Sequence, residues 1–240
     1  VHMGSGMQCI QCHKFKDHKV EGAGTQMSGM DWPSNEQRPQ CQNCHGGAPH
    51  KNATVNRHAS AVYCTTCHIP TFARKDPTDM RRDWSKSEEV KGEGRFEPHI
   101  EFGKSVKPAY TWWNGTGTIA LLDQPVKPGA NGRVSLYKPS GSIQDPKARI
   151  YAFKYHTGRL PIETATNTMI PVQVGATFRT GNTMASAIGG AKGYRQNGLE
   201  PKDISYIEVE RWMGIFHEVV PKAQALKCND CHGATATRMD

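Results

Sequence analysis

Four short cysteine motifs constrain this chain of 240 residues more than any other feature. All eight cysteines occur in Cys-x-x-Cys pairs, and a histidine follows each pair directly. The motif residues are Cys9, Cys12 and His13; Cys41, Cys44 and His45; Cys64, Cys67 and His68; and Cys228, Cys231 and His232. This spacing is the attachment motif of haem c, in which two thiols bond to the porphyrin and the histidine binds the iron as its proximal ligand.

Two other uses of a Cys-x-x-Cys pair need consideration. A redox disulfide and half of a zinc site have the same spacing. Neither use requires a histidine after every pair, and a disulfide framework does not require a two-residue gap each time. The repeated motif, which accounts for every cysteine, therefore predicts four covalently attached haem c groups, each with its iron.

The remaining seven histidines are candidates for the second axial ligand of each iron. His18 and His50 each lie five residues after a motif histidine, a distance of at most about 17 Å in extended chain. Because a chain of that length hardly reaches the opposite face of its own porphyrin, we expect both to bind neighbouring haems. We predict four distal ligands: His18, His50, His58 and His217. His2, His99, His156 and the nine methionines remain alternatives.

The composition agrees with a cofactor-filled interior. Only 36% of the residues are hydrophobic and the formal net charge is +8, which alone would allow a disordered basic chain or a nucleic-acid-binding protein. Four haems add eight propionates, or a charge of about −8, so the basic residues are better explained by pairing with propionates than by nucleic acid. Candidate partners are Lys14, Lys16, Arg57 and Lys227. We expect porphyrins to form the core, and the chain to fold only once they are attached.

The motifs divide a single predicted domain, residues 1–240, into three parts. Residues 1–68 contain three motifs, 69–227 form a motif-free scaffold, and 228–240 contain the fourth motif. The predicted fold is that of a multihaem cytochrome c, mostly irregular coil with short helices and small β elements around a stacked haem core. Turn residues separate five predicted strands: Tyr110–Trp113, Thr118–Leu122, Arg133–Tyr137, Arg149–Tyr155 and Met169–Val174. A helix is predicted over Asp203–Val220, with His217 on its buried side.

The predicted cofactor also indicates a cellular location. Haem c is attached outside the cytoplasm, so we expect an exported protein. The chain opens without a signal peptide and is interpreted as a mature form. No apolar run approaches the roughly 18 residues that would indicate a membrane span.

Several segments resemble the octahaem tetrathionate reductase family of cytochromes c. The matching elements follow one another along most of the chain: Lys16–Lys19, Pro49–Lys51, Asn56–His58, Cys64–Arg74, Asp83–Ser85, Val106–Pro108, Trp113–Gly115, Gly141–Ser142 with Asp145–Lys147, and Pro221–Cys228. The Ile-Pro-x-Phe-Ala-Arg extension after the third motif is the most specific. The resemblance implies His18, His50, His58 and His217 as distal ligands. This chain has four motifs where the family has eight haems, so the family's substrate site does not carry over.

Two classes of function, electron transfer and substrate reduction, follow from these features. The chain is also similar to extracellular tetrahaem cytochromes that polymerise into haem filaments, or nanowires. That similarity implies electron transfer to external acceptors such as metal oxides, with other copies of the chain or other cytochromes as partners, and without nucleic acid or a membrane span. The alternatives are a discrete soluble electron shuttle, or a periplasmic or secreted reductase of tetrathionate, nitrite or a similar small oxidant. A reductase would need an iron with an open axial position.

Overall fold

The computed structural model describes residues 1–13, 15–16, 18–20, 40–195 and 198–239. Its helices are α1 (Gln42–His45), α2 (Ala53–Ala61), α3 (Cys64–His68), α4 (Val174–Thr180), α5 (Thr183–Arg195) and α6 (Cys228–Cys231). Its strands are β1 (Phe15–Lys16), β2 (Lys19–Val20), β3 (Thr78–Val90), β4 (Arg95–Gly103), β5 (Ala109–Trp113), β6 (Gly117–Ile119), β7 (Val134–Pro139), β8 (Arg149–Glu163), β9 (Thr168–Met169) and β10 (Ile204–Gly214). Short 3₁₀ turns occur at Met3–Ser5, Cys9–Gln11 and Pro201–Asp203.

The segment between the third and fourth motifs contains one mixed sheet of eight strands. The order is β4-β3-β8-β10-β7-β6, with β5 and β9 also paired to β8. Strand β8 is parallel to β3 and antiparallel to β10, and β10 is parallel to β7. The expectation of small β elements in mostly irregular coil is therefore wrong for this segment. The short predicted strands join because β8 is long enough, at 15 residues, to pair with four others.

One glycine permits the pairing at the centre of this sheet. Gly158 lies opposite Arg82 of β3 and Val209 of β10. A Cβ atom at position 158 would lie 2.7 Å from the Arg82 carbonyl oxygen, which is closer than carbon and oxygen can approach without displacement. The absence of a side chain at this position therefore lets the two strands approach each other.

The predicted helix over Asp203–Val220 is wrong. Asp203 ends a 3₁₀ turn, where its carboxylate accepts a hydrogen bond from the Glu200 amide. From Ile204 the chain forms β10, which pairs with β8 over its whole length. The run from Ile204 to Trp212 is rich in β-branched and aromatic residues, which pack well on a pleated sheet. His217 consequently lies in the segment after β10.

The five predicted strands are confirmed to different extents. Strands β5 and β7 agree with Tyr110–Trp113 and Arg133–Tyr137 to within two residues, and β6 covers the start of Thr118–Leu122. Strand β8 contains all of Arg149–Tyr155 and continues for eight more residues. Of the last predicted strand, only Met169 lies in β9, and Val174 begins α4.

The sheet has apolar clusters of its own. One cluster joins β7, β8, β9 and β10 through Val134, Ile162, Met169 and Val209, with Val126 beside them. Another packs α5 against the start of β10. The expectation that porphyrins alone form the core is therefore too simple, since the scaffold buries aliphatic side chains away from every motif.

An aromatic cluster connects the sheet to the motif region. Tyr63, which precedes α3, stacks on Tyr151 of β8 with ring centroids 4.2 Å apart. Trp113 of β5 packs edge-on against Tyr151, and the Thr66 hydroxyl donates a hydrogen bond to the Ile150 carbonyl. These contacts fix the third motif to the central strand of the sheet. Among the described residues, no helix combines the length and apolar character that crossing a bilayer requires.

Candidate haem sites

Each cysteine motif lies on a turn of helix. The first motif occupies the 3₁₀ turn Cys9–Gln11 and its end, and the others occupy α1, α3 and α6. The amides of His13, His45 and His232 donate hydrogen bonds to the carbonyl of the first cysteine in their own motif, at 2.8–2.9 Å. A helical turn brings residues i, i+3 and i+4 to one side. Both thiols and the histidine of a motif therefore face in one direction, as attachment to a single porphyrin requires.

Every motif histidine faces one histidine from another part of the chain. The ring centroids of the four pairs are 5.9–6.2 Å apart. The pairs are His13 with His217, His45 with His2, His68 with His50, and His232 with His58. None of these partners is the histidine that lies five residues after the motif histidine it faces.

The spacing of these pairs fits an iron between the two rings. A histidine nitrogen binds a metal at about 2 Å and its ring centroid lies about 1 Å further, so two axial histidines have centroids about 6 Å apart. In the part of the chain that the structure describes, no group of three or more His, Cys, Asp or Glu has metal-holding geometry, so each pair offers two protein ligands and not the four of a structural zinc site. The pairs thus fit haem iron better than a zinc ion.

Hydrogen bonds orient three of the histidines. Nδ1 of His58 donates to the Thr54 carbonyl at 3.1 Å, and Nδ1 of His68 lies 3.5 Å from the Val220 carbonyl. Nδ1 of His50 lies 3.2 Å from the Asn56 side-chain oxygen. Because these acceptors hold the proton on Nδ1, the Nε2 lone pair of each ring is available for a metal. Asn56 also bonds both backbone polar groups of His50, a positioning role that no sequence motif indicates.

The histidines outside the pairs have other surroundings. His18 is exposed in the turn between β1 and β2, with a φ of 62°, and it faces no motif histidine among the described residues. The structure thus places His2 where the sequence predicts His18. His99 contacts Glu88, and His156 lies 3.0 Å from Asp79. Of the predicted distal ligands, His50, His58 and His217 lie opposite motif histidines.

The third motif contacts the second motif. The Cys64 thiol hydrogen-bonds the Cys41 sulfur and thereby lowers the pKa of Cys41. The same contact, together with burial, raises the pKa of Cys64. The Tyr63 hydroxyl lies 3.7 Å from the Cys41 sulfur, and the Arg149 guanidinium lies 4.9 Å from the centre of the Tyr63 ring. Two attachment points therefore meet at a buried tyrosine beside the sheet.

The third motif also lies close to the fourth. Burial, together with the nearby Cys231 and Cys228, raises the pKa of the Cys67 thiol to about 11. The Leu226 amide donates to the Cys67 carbonyl at 3.0 Å. Arg238 lies beside these residues and donates to the Pro70 carbonyl at 2.7 Å. The sequence does not indicate that Arg149 and Arg238 lie beside the motifs, because only the fold brings them there.

The sequence-based candidates for propionate partners have other contacts. Arg57 donates to the Thr54 hydroxyl, and the Lys227 ammonium donates to the Lys222 carbonyl. Lys14 and the side chain of Lys16 lie outside the described residues. The assignment of these four cations therefore stays a prediction.

Helical Cys-x-x-Cys-His turns, each facing a second histidine across the width of an iron site, define a multihaem c-type cytochrome. The model of the family described as bacterial cytochrome c matches residues 79–235, well over half of the chain. The chain belongs to this family, which implies covalently bound haem c and electron transport. The matched region consists mainly of the sheet and includes the whole fourth motif.

A solved structure extends the similarity to the whole chain. The crystal structure of octahaem cytochrome c from Shewanella oneidensis matches with a TM-score of 0.82 and 32% sequence identity. The match covers 100% of this chain and 58% of the other chain, so this chain spans somewhat more than half the length of that cytochrome. No curated protein is significantly similar to the chain.

Proposed function

We propose that this chain binds four haem c groups and passes electrons between partners without converting a substrate. The observation that carries the proposal is the pairing of every motif histidine with a second histidine at 5.9–6.2 Å. With a histidine on both sides, each iron has both axial positions filled. Electron transfer needs no open position, whereas substrate reduction at an iron does.

Contacts between neighbouring sites support conduction in series. The Val1 amino group, next to His2, donates to the Val219 carbonyl two residues after His217, at 3.0 Å. This contact connects the first and second sites. The second and third sites meet at Cys41 and Cys64, and the third and fourth at Cys67 and Cys231. The proposed order of the haems in space is therefore first, second, third, fourth.

The alternative function is reduction of a small oxidant. The similar cytochrome from Shewanella oneidensis is octahaem, and this chain matches 58% of it. The sequence resemblance to the octahaem tetrathionate reductase family gives this alternative its substrate class. The four histidine pairs favour electron transfer instead.

Electronic and magnetic spectra of the purified holoprotein test the assignment. We expect a haem-to-protein ratio of four, low-spin ferric signals only, and no rapid change when cyanide or nitrite is added. A high-spin ferric signal, or rapid binding of either ligand to one haem, would contradict the assignment and favour a reductase.

We further propose an exported, extracellular protein that assembles with copies of itself into a conducting filament. The supporting observation is charge, because the +8 of the polypeptide and the roughly −8 of eight propionates cancel and reduce repulsion between copies. External acceptors such as metal oxides would receive the electrons.

Negative-stain microscopy and light scattering across a range of concentrations test this assembly. We expect elongated particles whose length increases with concentration. Small, monodisperse particles at every concentration would overturn the filament and leave a discrete shuttle.

A further inference from the structure

A second group of charged side chains lies within the sheet. Asp79 and Arg82 of β3 form an ion pair of 2.6 Å. His156 of β8 lies 3.0 Å from the other Asp79 oxygen, and the Arg211 Nε of β10 donates to His156 at 3.3 Å. Lys154, two residues before His156, donates to the Thr78 hydroxyl at 2.8 Å. These five residues, Asp79, Arg82, Lys154, His156 and Arg211, are termed the sheet cluster.

The hydrogen bonds determine the protonation of His156. Arg211 donates to Nδ1, so this nitrogen is an acceptor and carries no proton. The proton therefore lies on Nε2, which donates to Asp79. Burial is the largest cause that lowers the pKa of His156, and the positive charge of Arg211 lowers it further, to about 4. The imidazole is neutral at pH 7.

The sheet cluster has more positive than negative charge. Three cations, Arg82, Lys154 and Arg211, share the single carboxylate of Asp79. Burial lowers the pKa values of Lys154 and Arg211, and the attraction of Asp79 is partly offset by repulsion among the cations. The formal excess of two positive charges is costly in a partly buried place unless an anion neutralises it.

One donor in the cluster has no partner. The Arg82 Nε is buried and makes no hydrogen bond in the part of the chain that the structure describes. Buried guanidinium nitrogens are usually bonded, so this atom indicates a missing acceptor. Solvent nevertheless reaches the cluster, since the Arg82 side chain is 37% exposed and Lys154 is half-buried.

We propose that the sheet cluster binds a small oxyanion with two negative charges, of the class of sulfate or hydrogen phosphate. Lys154 would contact it as a point charge, and Arg82 and Arg211 would donate from their planar guanidinium groups. Asp79 and the neutral His156 orient the two arginines. This site is independent of the histidine pairs and of the proposed electron transfer.

Calorimetric titration of the holoprotein with sodium sulfate and with sodium phosphate tests the site, at constant ionic strength set with sodium chloride. We expect saturable binding of one anion per chain. Lys154→Met should weaken it about tenfold, the effect of losing one charge-assisted contact. The matched control is Lys86→Met on the exposed side of β3, which should leave the affinity unchanged.

A second variant changes the charge in the opposite direction. Asp79→Asn keeps the shape of the side chain and removes the only carboxylate of the cluster, so the anion should bind more tightly.

Absence of saturable binding to the wild type would overturn the proposal. If neither anion binds while Lys154→Met moves the potential of one haem, the cluster serves a haem propionate and the proposal of a free-anion site is wrong. Equal weakening by Lys154→Met and Lys86→Met would also overturn it.

Discussion

The histidine that faces His45 is set by how the N-terminal turn packs, and not by closeness along the chain. His2 lies at the start of a 3₁₀ turn, and the adjacent Val1 amino group is held by the Val219 carbonyl at 3.0 Å. His18 is closer to His45 in sequence than His2 is, but it lies exposed on the β1–β2 turn. A matched pair of substitutions distinguishes the two residues.

We expect His2→Ala to convert one of the four proposed haems from low-spin to high-spin, because the iron at His45 loses its second axial ligand. His18→Ala should leave all signals unchanged. Electron paramagnetic resonance of the oxidised proteins measures both. A high-spin signal in His18→Ala alone would restore the assignment predicted from the sequence.

His217 offers a test through the potential of a single haem. Replacement of His217 with Met should raise the potential of the first haem, since methionine ligation favours ferrous iron. The other three potentials should change little because their ligands lie elsewhere. A redox titration followed by optical absorbance resolves the components. Four unchanged potentials would refute the role of His217.

His156 predicts a pH dependence of stability. The pKa of His156 falls to about 4 in the folded chain, first through burial, while the unfolded chain binds a proton near pH 6.5. Between these values the unfolded state holds more protons, so stability falls as the pH decreases from 6.5 to 4. His156→Gln should flatten this slope by up to about 1.4 kcal/mol per pH unit. Denaturant unfolding at several pH values checks it, and parallel curves for the two proteins would contradict it.

At the scale of elements, β8 holds the sheet together. Its centre needs a residue without a side chain, because a Cβ on Gly158 would lie 2.7 Å from the Arg82 carbonyl oxygen. The strand also carries residues of the aromatic cluster at one end and of the sheet cluster in its middle. A destabilising substitution in β8 would therefore affect both the sheet and the motif region.

We expect Gly158→Ala to destabilise the holoprotein by about 1–3 kcal/mol, the usual cost of excess volume in a packed interior. The matched control is Gly193→Ala in α5, where a Cβ meets nothing within 4 Å. That change should stabilise by about 0.5–1 kcal/mol, because alanine favours a helix. Thermal unfolding followed by circular dichroism measures both. A Gly158→Ala protein as stable as the wild type would contradict the close approach of β3 and β8.

Elements with strong local signals were predictable from the sequence. The cysteine motifs and strands such as β5 depend on short patterns, and they lie where the patterns place them. Strand β10 was not predictable, because Ile204, Ile207 and Met213 fit a helical spacing as well as a strand. Pairing with β8 over 11 residues decided the outcome, and the paired residues run from Ile204 with Glu163 to Gly214 with Phe153, far apart in sequence.

The same limit applies to the candidate site. The chemistry of the motifs identifies the proximal histidines, but distal partners depend on how distant segments pack. His232, for example, faces His58, although His217 is much nearer in sequence. His50, which was expected to reach a neighbouring haem, does lie opposite His68 of the next motif.

For the whole molecule, charge gives a measurable prediction. The polypeptide alone has a pI of about 9.1. Four haems bring the formal charge from +8 to about 0 when reduced and to about +4 when oxidised. Isoelectric focusing of the holoprotein should therefore give a reduced form near neutrality and an oxidised form at higher pH. Focusing of both forms near pH 9.1 would contradict a count of four haems.

The histidine pairs also set an order of events during synthesis. His2 with His45 and His50 with His68 join residues within the first 68 positions, so these two sites have both histidines as soon as residue 68 has been made. His13 must wait for His217, and His58 must wait for His232. The outer members of the proposed row are thus completed last. Of the proposed haems, a chain that ends before residue 217 would therefore have two with both axial histidines and one with a single axial histidine.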